Sequence, residues 1–329
     1  MTALAVASVD NPQKLTAIAH SDEIDVWSFH WVNDKRLVFD VLDKESPIGN
    51  QVHDPGLYAV NLDGSDFMVL VGNQDTKNIA QRPLRSLNHR FHSVLRDGSD
   101  DVILERYNLR ETSAESQSST LVRLNTRTRA HQDLTLFGVP AGAHDWVLDR
   151  QNPRQARALM TTTDRTTRAY AREVNSKEWT QIAEFDAFEG GNKTIVPFAF
   201  DGQGRFYVVA GQDNPEQTSA VYRYDIAKRQ READPLVTVK GFDFDGGLIV
   251  DGVTGKLLGI RYTSDAMGVV WVDPDMKALQ EVVDKKLPHT NNLISCNRCS
   301  KDQLFVVTAI PIGSARSTSC SIGHRPSSS

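Results

Sequence analysis

Apolar and polar residues alternate with a period of two along most of the chain, and the 3.6-residue period of a helix is nowhere extended. Two kinds of strand pair recur. In the first, a polar turn leads into a very apolar strand. His30-Trp31-Val32-Asn33-Asp34-Lys35-Arg36 precedes Leu37-Val38-Phe39-Asp40-Val41, and Arg96-Asp97-Gly98-Ser99-Asp100 precedes Asp101-Val102-Ile103-Leu104. The same step recurs from Asp201-Gly202-Gln203-Gly204 into Arg205 to Val209, from Gly252-Val253-Thr254-Gly255 into Lys256 to Ile260, and from Ser300-Lys301-Asp302 into Gln303 to Val307. Asp, Asn and Gly suit such turns because they tolerate left-handed backbone. In the second kind, an alternating strand ends on Asn or Asp and returns as a more polar strand. Asn61, Asn125, Asn175, Asp225 and Asp273 mark these ends, at steps of 64, 50, 50 and 48 residues. The polar insertion from Arg110 to Ser119 stretches the first step.

A unit of two hairpins repeating every 40 to 50 residues or so is the pattern of a β-propeller blade, a four-stranded sheet that buries its faces only against neighbouring blades. A β-sandwich also repeats hairpins, but at shorter spacing and without the two-hairpin period. The expected fold is therefore all-β, a propeller of four-stranded antiparallel blades over residues 1–309. At this period 329 residues make roughly six to seven blades. The start reads as part of a hairpin: a strand to Val9, the turn Asp10-Asn11-Pro12-Gln13, and a strand from Lys14 to Ala19. Residues 310–329 lose the alternation, are rich in Ser and are expected to be disordered. Permitted codons for 309–329, shifted by one base, can spell another blade hairpin. The expectation is a frameshift that replaces the rest of the propeller.

Composition narrows the classes. The chain is 40% hydrophobic and 24% charged, as ordinary globular proteins are, and its net charge of -5 offers no footprint for nucleic acid. No apolar run reaches the roughly 18 residues of a membrane helix, and the first ten residues lack the basic region of a signal peptide. The three cysteines are too few and too odd in number for a disulfide scaffold. Cys296-Asn297-Arg298-Cys299 has the CxxC spacing, but no second ligand pair for zinc and no βαβ setting for redox chemistry. It is read as a local disulfide or two incidental thiols.

The stretch from Asp25 to Phe39, with its aromatic-x-aromatic segment, polar turn and apolar strand, resembles the first-blade segment of bacterial serine peptidases of the prolyl oligopeptidase family. Leu57-Tyr58-Ala59-Val60-Asn61-Leu62-Asp63-Gly64-Ser65 is similar to the strand and turn that follow it there. The likeness covers residues 1 to 309. It implies an N-terminal propeller that caps a C-terminal α/β-hydrolase domain and restricts access to peptides, in proteins that are commonly exported. The sequence departs from that pattern. An α/β-hydrolase needs a Gly-x-Ser-x-Gly elbow followed by Asp and His. Gly64-Ser65, Gly98-Ser99 and Gly313-Ser314 lack its flanking glycines. The expectation is thus a non-catalytic, substrate-gating propeller truncated before the hydrolase, with no catalytic, cofactor-binding or metal-binding residues. Its partners would be peptides or a hydrolase domain of the parent protein. The alternative is a stand-alone propeller that serves as a protein-binding scaffold.

Other constellations have bland readings. His89 and His92 are expected on opposite sides of a strand, unable to chelate one metal. Asp243-Phe244-Asp245-Gly246-Gly247 has Asp-x-Asp spacing but lacks the later acidic ligand of a calcium loop. Val250 stands where a phosphate loop ending in Gly255-Lys256 would need glycine. Glu105, Arg106, Arg110 and Glu111 read as a solvated charged loop. Trp27, Phe29 and Trp31 alternate on one strand face. They are expected to fill the wedge between blades, with peptide stacking at the propeller mouth as the lesser reading.

Overall fold

The computed structural model describes residues 3–20, 24–43, 53–72, 82–108, 118–134, 138–189, 191–312 and 319–324. A hairpin of β1 (Ala3–Ser8) and β2 (Asn11–His20) comes first, its strands meeting at Ser8 and Asn11, close to the expected turn. Sheets of consecutive antiparallel strands follow. The first holds β3 (Ile24–Asn33), β4 (Arg36–Asp43), β5 (His53–Asn61) and β6 (Met68–Val71). The second holds β7 (His89–Val94), β8 (Asp101–Tyr107), β9 (Ser119–Asn125) and β10 (His131–Asp133). The third holds β11 (Ala143–Leu148), β12 (Ala156–Thr163), β13 (Thr166–Ala171) and β14 (Thr180–Asp186). The fourth holds β15 (Ile195–Phe200), β16 (Phe206–Gly211), β17 (Ser219–Asp225) and β18 (Gln230–Arg231), with β19 (Val237–Thr238) also paired to β17. Two three-stranded sheets complete the described chain. They are β20 (Gly246–Val250), β21 (Leu257–Thr263) and β22 (Met267–Trp271), then β23 (Thr290–Ser295), β24 (Leu304–Pro311) and β25 (Ser319–His324).

These sheets are the blades of a β-propeller, the expected fold class. The sequence count of six to seven repeats compares with six sheets of three or more strands among the described residues. The backbone divides into two units, residues 1–144 and 145–329, with the boundary inside β11.

Within each unit the core lies between successive sheets. In residues 1–144, Val38, Leu57, Ala59 and Leu70 of the first sheet pack against Val102, Leu104, Val122 and Leu124 of the second. The middle strands are buried on both faces, so Val102, Ile103 and Leu104 are all fully covered and the strand reads as one apolar run. In residues 145–329, the small residues Ala158, Ala169 and Ala171 of the third sheet face Phe200, Phe206, Tyr222 and Tyr224 of the fourth, small against large. Each large side chain buried this way contributes about 1.5–3 kcal/mol.

The turns between the first two strands of a blade share one device. The side-chain oxygen of Asn33 accepts a hydrogen bond from the N–H of Lys35, and Asp97, Asp149, Asp201 and Asp251 do the same for the residue two further on, at 2.8 to 3.0 Å. These residues stand 64, 52, 52 and 50 apart. Such Asx turns satisfy a backbone donor that the turn would otherwise leave open. Gly98, Gly204 and Gly255 take left-handed φ of 78°, 79° and 69° in three of them, as the sequence pattern requires.

Two features depart from the sequence reading. Asp273 does not end a hairpin; it caps α1 (Pro274–Lys286), its Oδ1 accepting from the N–H groups of Asp275 and Met276 at 3.1 and 3.2 Å. Pro274 opens the helix, and Met276, Leu279 and Val283 bury its inner face against Leu258, Ile294 and Phe305. The second feature is the tail: Ile310 and Pro311 belong to β24, and Ser319–His324 pair with it as β25. The remainder of 313–329 lies outside the described residues. Cys296 and Cys299 form the local disulfide, one of the two readings left open.

Candidate functional site

β3 is an edge strand of the first sheet, and its two faces differ in kind. One face carries Ser28, His30 and Val32. Val32 joins the core between the first and second sheets. The His30 ring stacks on Phe91 of β7, centroids 4.5 Å apart. Ser28 donates its N–H to Asp40 Oδ1 at 2.8 Å and its hydroxyl to Asp40 Oδ2 at 3.0 Å; its Oγ stands 3.4 Å from His30 Nε2. A Ser, a His and an Asp thus meet, but wired unlike a hydrolytic triad. The carboxylate accepts the serine hydroxyl's hydrogen bond, whereas a triad's carboxylate orients the histidine and leaves the hydroxyl to it. Burial lowers the His30 pKa, opposed by Asp40 and reinforced by Arg96, so the ring is neutral near pH 7. The cluster holds β3 to β4 and to the second sheet.

The other face carries Trp27, Phe29 and Trp31, and here the expectation of a core role fails. The three are 62%, 52% and 48% exposed. The reason is local. The β1–β2 hairpin lays Leu4 and Ile18 over Leu37, Phe39, Val41 and Val60, which closes the middle of this face but leaves its β3 margin open. A bulge between Val26 and Ser28 places Trp27 as the unpaired residue, which turns its side chain relative to the pleat. Phe29 pairs in register with Phe39, which stacks on Tyr58 at 5.4 Å; Tyr58 in turn lies 5.8 Å from the half-exposed Phe67. An aromatic row therefore crosses the sheet from its exposed margin into its core. Burial also raises the Tyr58 pKa, so its hydroxyl stays protonated at neutral pH.

Open aromatic rings in a row, backed by a rigid sheet, offer stacking surfaces at low entropic cost for apolar, planar or cationic groups. They hold no acid, base or nucleophile of their own.

The remaining sequence candidates are scattered and structural. His89 is buried and its Nδ1 lies 3.0 Å from the Arg85 carbonyl, whereas His92 Nδ1 lies 3.1 Å from Ser93 Oγ, so the two do not converge. Asp243 accepts from the N–H and hydroxyl of Ser219, each at 2.9 Å, and Asp251 accepts from the N–H of Val253 and of Ser300 at 2.8 and 3.0 Å. The Asp251 loop is the hairpin turn between β20 and β21, whereas Asp243 lies in the connection that leads into β20. Glu105 accepts from the hydroxyls of Tyr107 and Ser119, and Arg106 pairs with Asp133 at 2.9 Å; Arg110 and Glu111 lie outside the described residues. Among the described residues no three His, Cys, Asp or Glu gather as a metal site, and no helix is long and apolar enough to cross a membrane.

No protein-family model matches the chain, and no curated protein matches it. Solved structures do. An oligogalacturonate lyase from Vibrio parahaemolyticus is similar at 12% identity over 82% of this chain and 71% of that one, with a TM-score of 0.46. TolB from Acinetobacter baumannii is similar at 11% identity, 89% and 62% coverage and a TM-score of 0.43. A prolyl endopeptidase is similar at 12% identity and a TM-score of 0.47; the match covers 94% of this chain but 45% of that protein.

Proposed function

We propose that this chain is a non-catalytic propeller whose aromatic row meets peptides, in the manner of the substrate-restricting domain of a serine peptidase resembling the prolyl oligopeptidase family. The peptidase setting rests on the resemblance of residues 25–39 and 57–65. The peptide-facing role rests on one observation, the row Trp27, Phe29 and Trp31 standing open on an edge strand. Large apolar rings exposed together on a folded sheet mark interaction surfaces, and a proline ring or an apolar side chain of a peptide stacks well on indole.

The test joins binding and turnover. A proline-containing peptide titrated against the purified chain is expected to shift its tryptophan fluorescence saturably and to emerge uncleaved. Trp31→Ala should weaken binding by about 1–2 kcal/mol, roughly five- to thirtyfold. Turnover by the chain itself, or an affinity indifferent to Trp31→Ala and Phe29→Ala together, would overturn the reading.

A further inference from the structure

Within residues 145–329, the third and fourth sheets border an open cavity of about 490 Å³ whose wall gathers Arg157, Arg205, Arg223, Lys228 and Arg231 beside Glu173, Asp225 and Glu232. That is the size of a small-ligand pocket. The gathering runs against the chain as a whole, whose net charge is -5. Part of the charge is spent. Arg205 Nε holds the buried Asp201 at 2.6 Å, Lys228 holds Asp225 at 3.1 Å, and Arg223 Nη1 holds Glu232 at 3.0 Å.

The rest is not. Arg231 donates Nη1 to the Gly211 carbonyl at 3.1 Å and lies over the Tyr222 ring at 4.1 Å; neither contact carries a full negative charge. Arg223 Nε is buried with no acceptor. The Arg157 side chain is 3% exposed, and its one close bond runs from Nε to the Arg172 carbonyl at 3.1 Å. Its Nη1 is 3.5 Å from both Asp149 and the Gly204 carbonyl, and its Nη2 is 4.0 Å from Glu173. Charge-assisted bonds close to about 2.7–2.9 Å, so its contacts to carboxylates are long, although it faces the wholly buried Asp149 and lies over the Phe200 ring at 4.1 Å. Its field reaches its neighbour: the Arg172 pKa is lowered, first by burial and then by the Arg157 charge. Unspent guanidinium donors beside a polar cavity are what an anion-binding site requires, and their planar forks match a phosphate or carboxylate group.

We propose that this cavity binds a small oxyanion, a phosphate or carboxylate group held by Arg157, Arg223 and Arg231. The site is independent of the aromatic row and of any peptidase role. Of the three, Arg231 faces no carboxylate, while Glu232 and Asp149 already share Arg223 and Arg157; the anion joins them, so binding it also stabilises the third and fourth sheets against each other.

Calorimetric titration at constant ionic strength tests this, with inorganic phosphate in one arm, succinate in a second and uncharged glycerol in a third. Saturable binding is expected in at least one anion arm, and the arm that saturates identifies the group. Arg231→Gln and Arg223→Gln, each checked for native circular dichroism, should each weaken it roughly ten- to hundredfold. Arg168→Gln, which removes an ion pair with Glu184 elsewhere on the third sheet, should leave it unchanged. No saturable heat with either anion would overturn the proposal. So would equal binding by Arg231→Gln and Arg223→Gln, or equal losses in all three variants, which would mark general charge screening.

Discussion

Arg36 carries the sharpest stability prediction. It begins β4 and is 0% exposed, yet its guanidinium is fully engaged. Nε donates to Thr126 Oγ1 at 2.9 Å and Nη2 to the Thr126 carbonyl at 2.8 Å. Nη1 donates to Asn61 Oδ1 at 2.9 Å and to the carbonyl and carboxylate of Asp66, each at 3.1 Å. Asp66 also takes Arg127 Nη1 at 2.6 Å, Arg127 Nε reaches Asp100 at 2.7 Å, and Asp100 accepts from Asn33 at 2.8 Å. One buried cation thus ties the first sheet to the loop after β9. Burial lowers its pKa and Asp66 opposes that shift, but an arginine remains charged throughout the accessible range. Arg36→Met keeps the apolar stem and removes the head. The half-exposed Asp66 can rehydrate, whereas the buried Thr126 groups and the Asn61 amide oxygen are left short of donors. At about 1–3 kcal/mol for each such group, the loss should be about 3–5 kcal/mol. Native-state hydrogen exchange followed by mass spectrometry reads it locally. Amides of β4 and β9 should exchange roughly a hundredfold to several thousandfold faster in the variant. Arg127→Gln, at a partly exposed site, should cost about 1 kcal/mol or less. An Arg36→Met protein whose β4 and β9 exchange less than about tenfold faster would refute the claim that this guanidinium is a buried tie.

Two further predictions concern titrating groups. Tyr207 is fully buried and donates its hydroxyl to Asp201 at 2.9 Å; burial, then the Asp201 charge, raise its pKa to about 12. A raised folded-state pKa means that the contribution is complete below pH 10 and is lost as pH climbs from there through about 12. Tyr207→Phe should therefore cost about 1 kcal/mol at neutral pH and flatten the alkaline fall in urea-measured stability; an unchanged alkaline slope would contradict it. Asp273, the N-cap of α1, is held below its ordinary 3.8: burial acts to raise it, but the Lys256 ammonium at 2.9 Å and the capped N–H groups outweigh burial. Its contribution is present above that value and is lost as pH falls through the depressed pKa. Asp273→Ala should cost about 0.5–2 kcal/mol at pH 7, with the gap from the natural chain closing in strong acid; a gap that persists there would show that the charge is not what matters.

Much of the fold was legible because its signals are short-range. The alternation of Leu121 to Asn125 and of Val221 to Asp225 specifies strands, and the Asn, Asp and Gly of the turns specify where they reverse. The helix at 274–286 escaped that reading. It buries only Met276, Leu279 and Val283, two turns of weak periodicity, and its start shares the Asp signal that elsewhere closes a hairpin. Asp273 followed by Pro274 is the cap-and-N1 pair that could have revealed it.

The candidate sites divide differently. The chain by itself determined that Phe29 and Trp31 share one face, since alternate strand side chains point to the same side, but not the bulge that turns Trp27. Whether that face is core depended on how far the β1–β2 hairpin reaches over the sheet, and it stops at Leu37, Phe39 and Val41. The arginine cavity was invisible in sequence, because Arg157 and Arg231 stand far apart along the chain and meet only where the third and fourth sheets pack. Pairing geometry and turn chemistry act between near neighbours and can be read locally. Burial and electrostatic surplus depend on which distant surfaces arrive beside a residue, and only the packed sheets decide that.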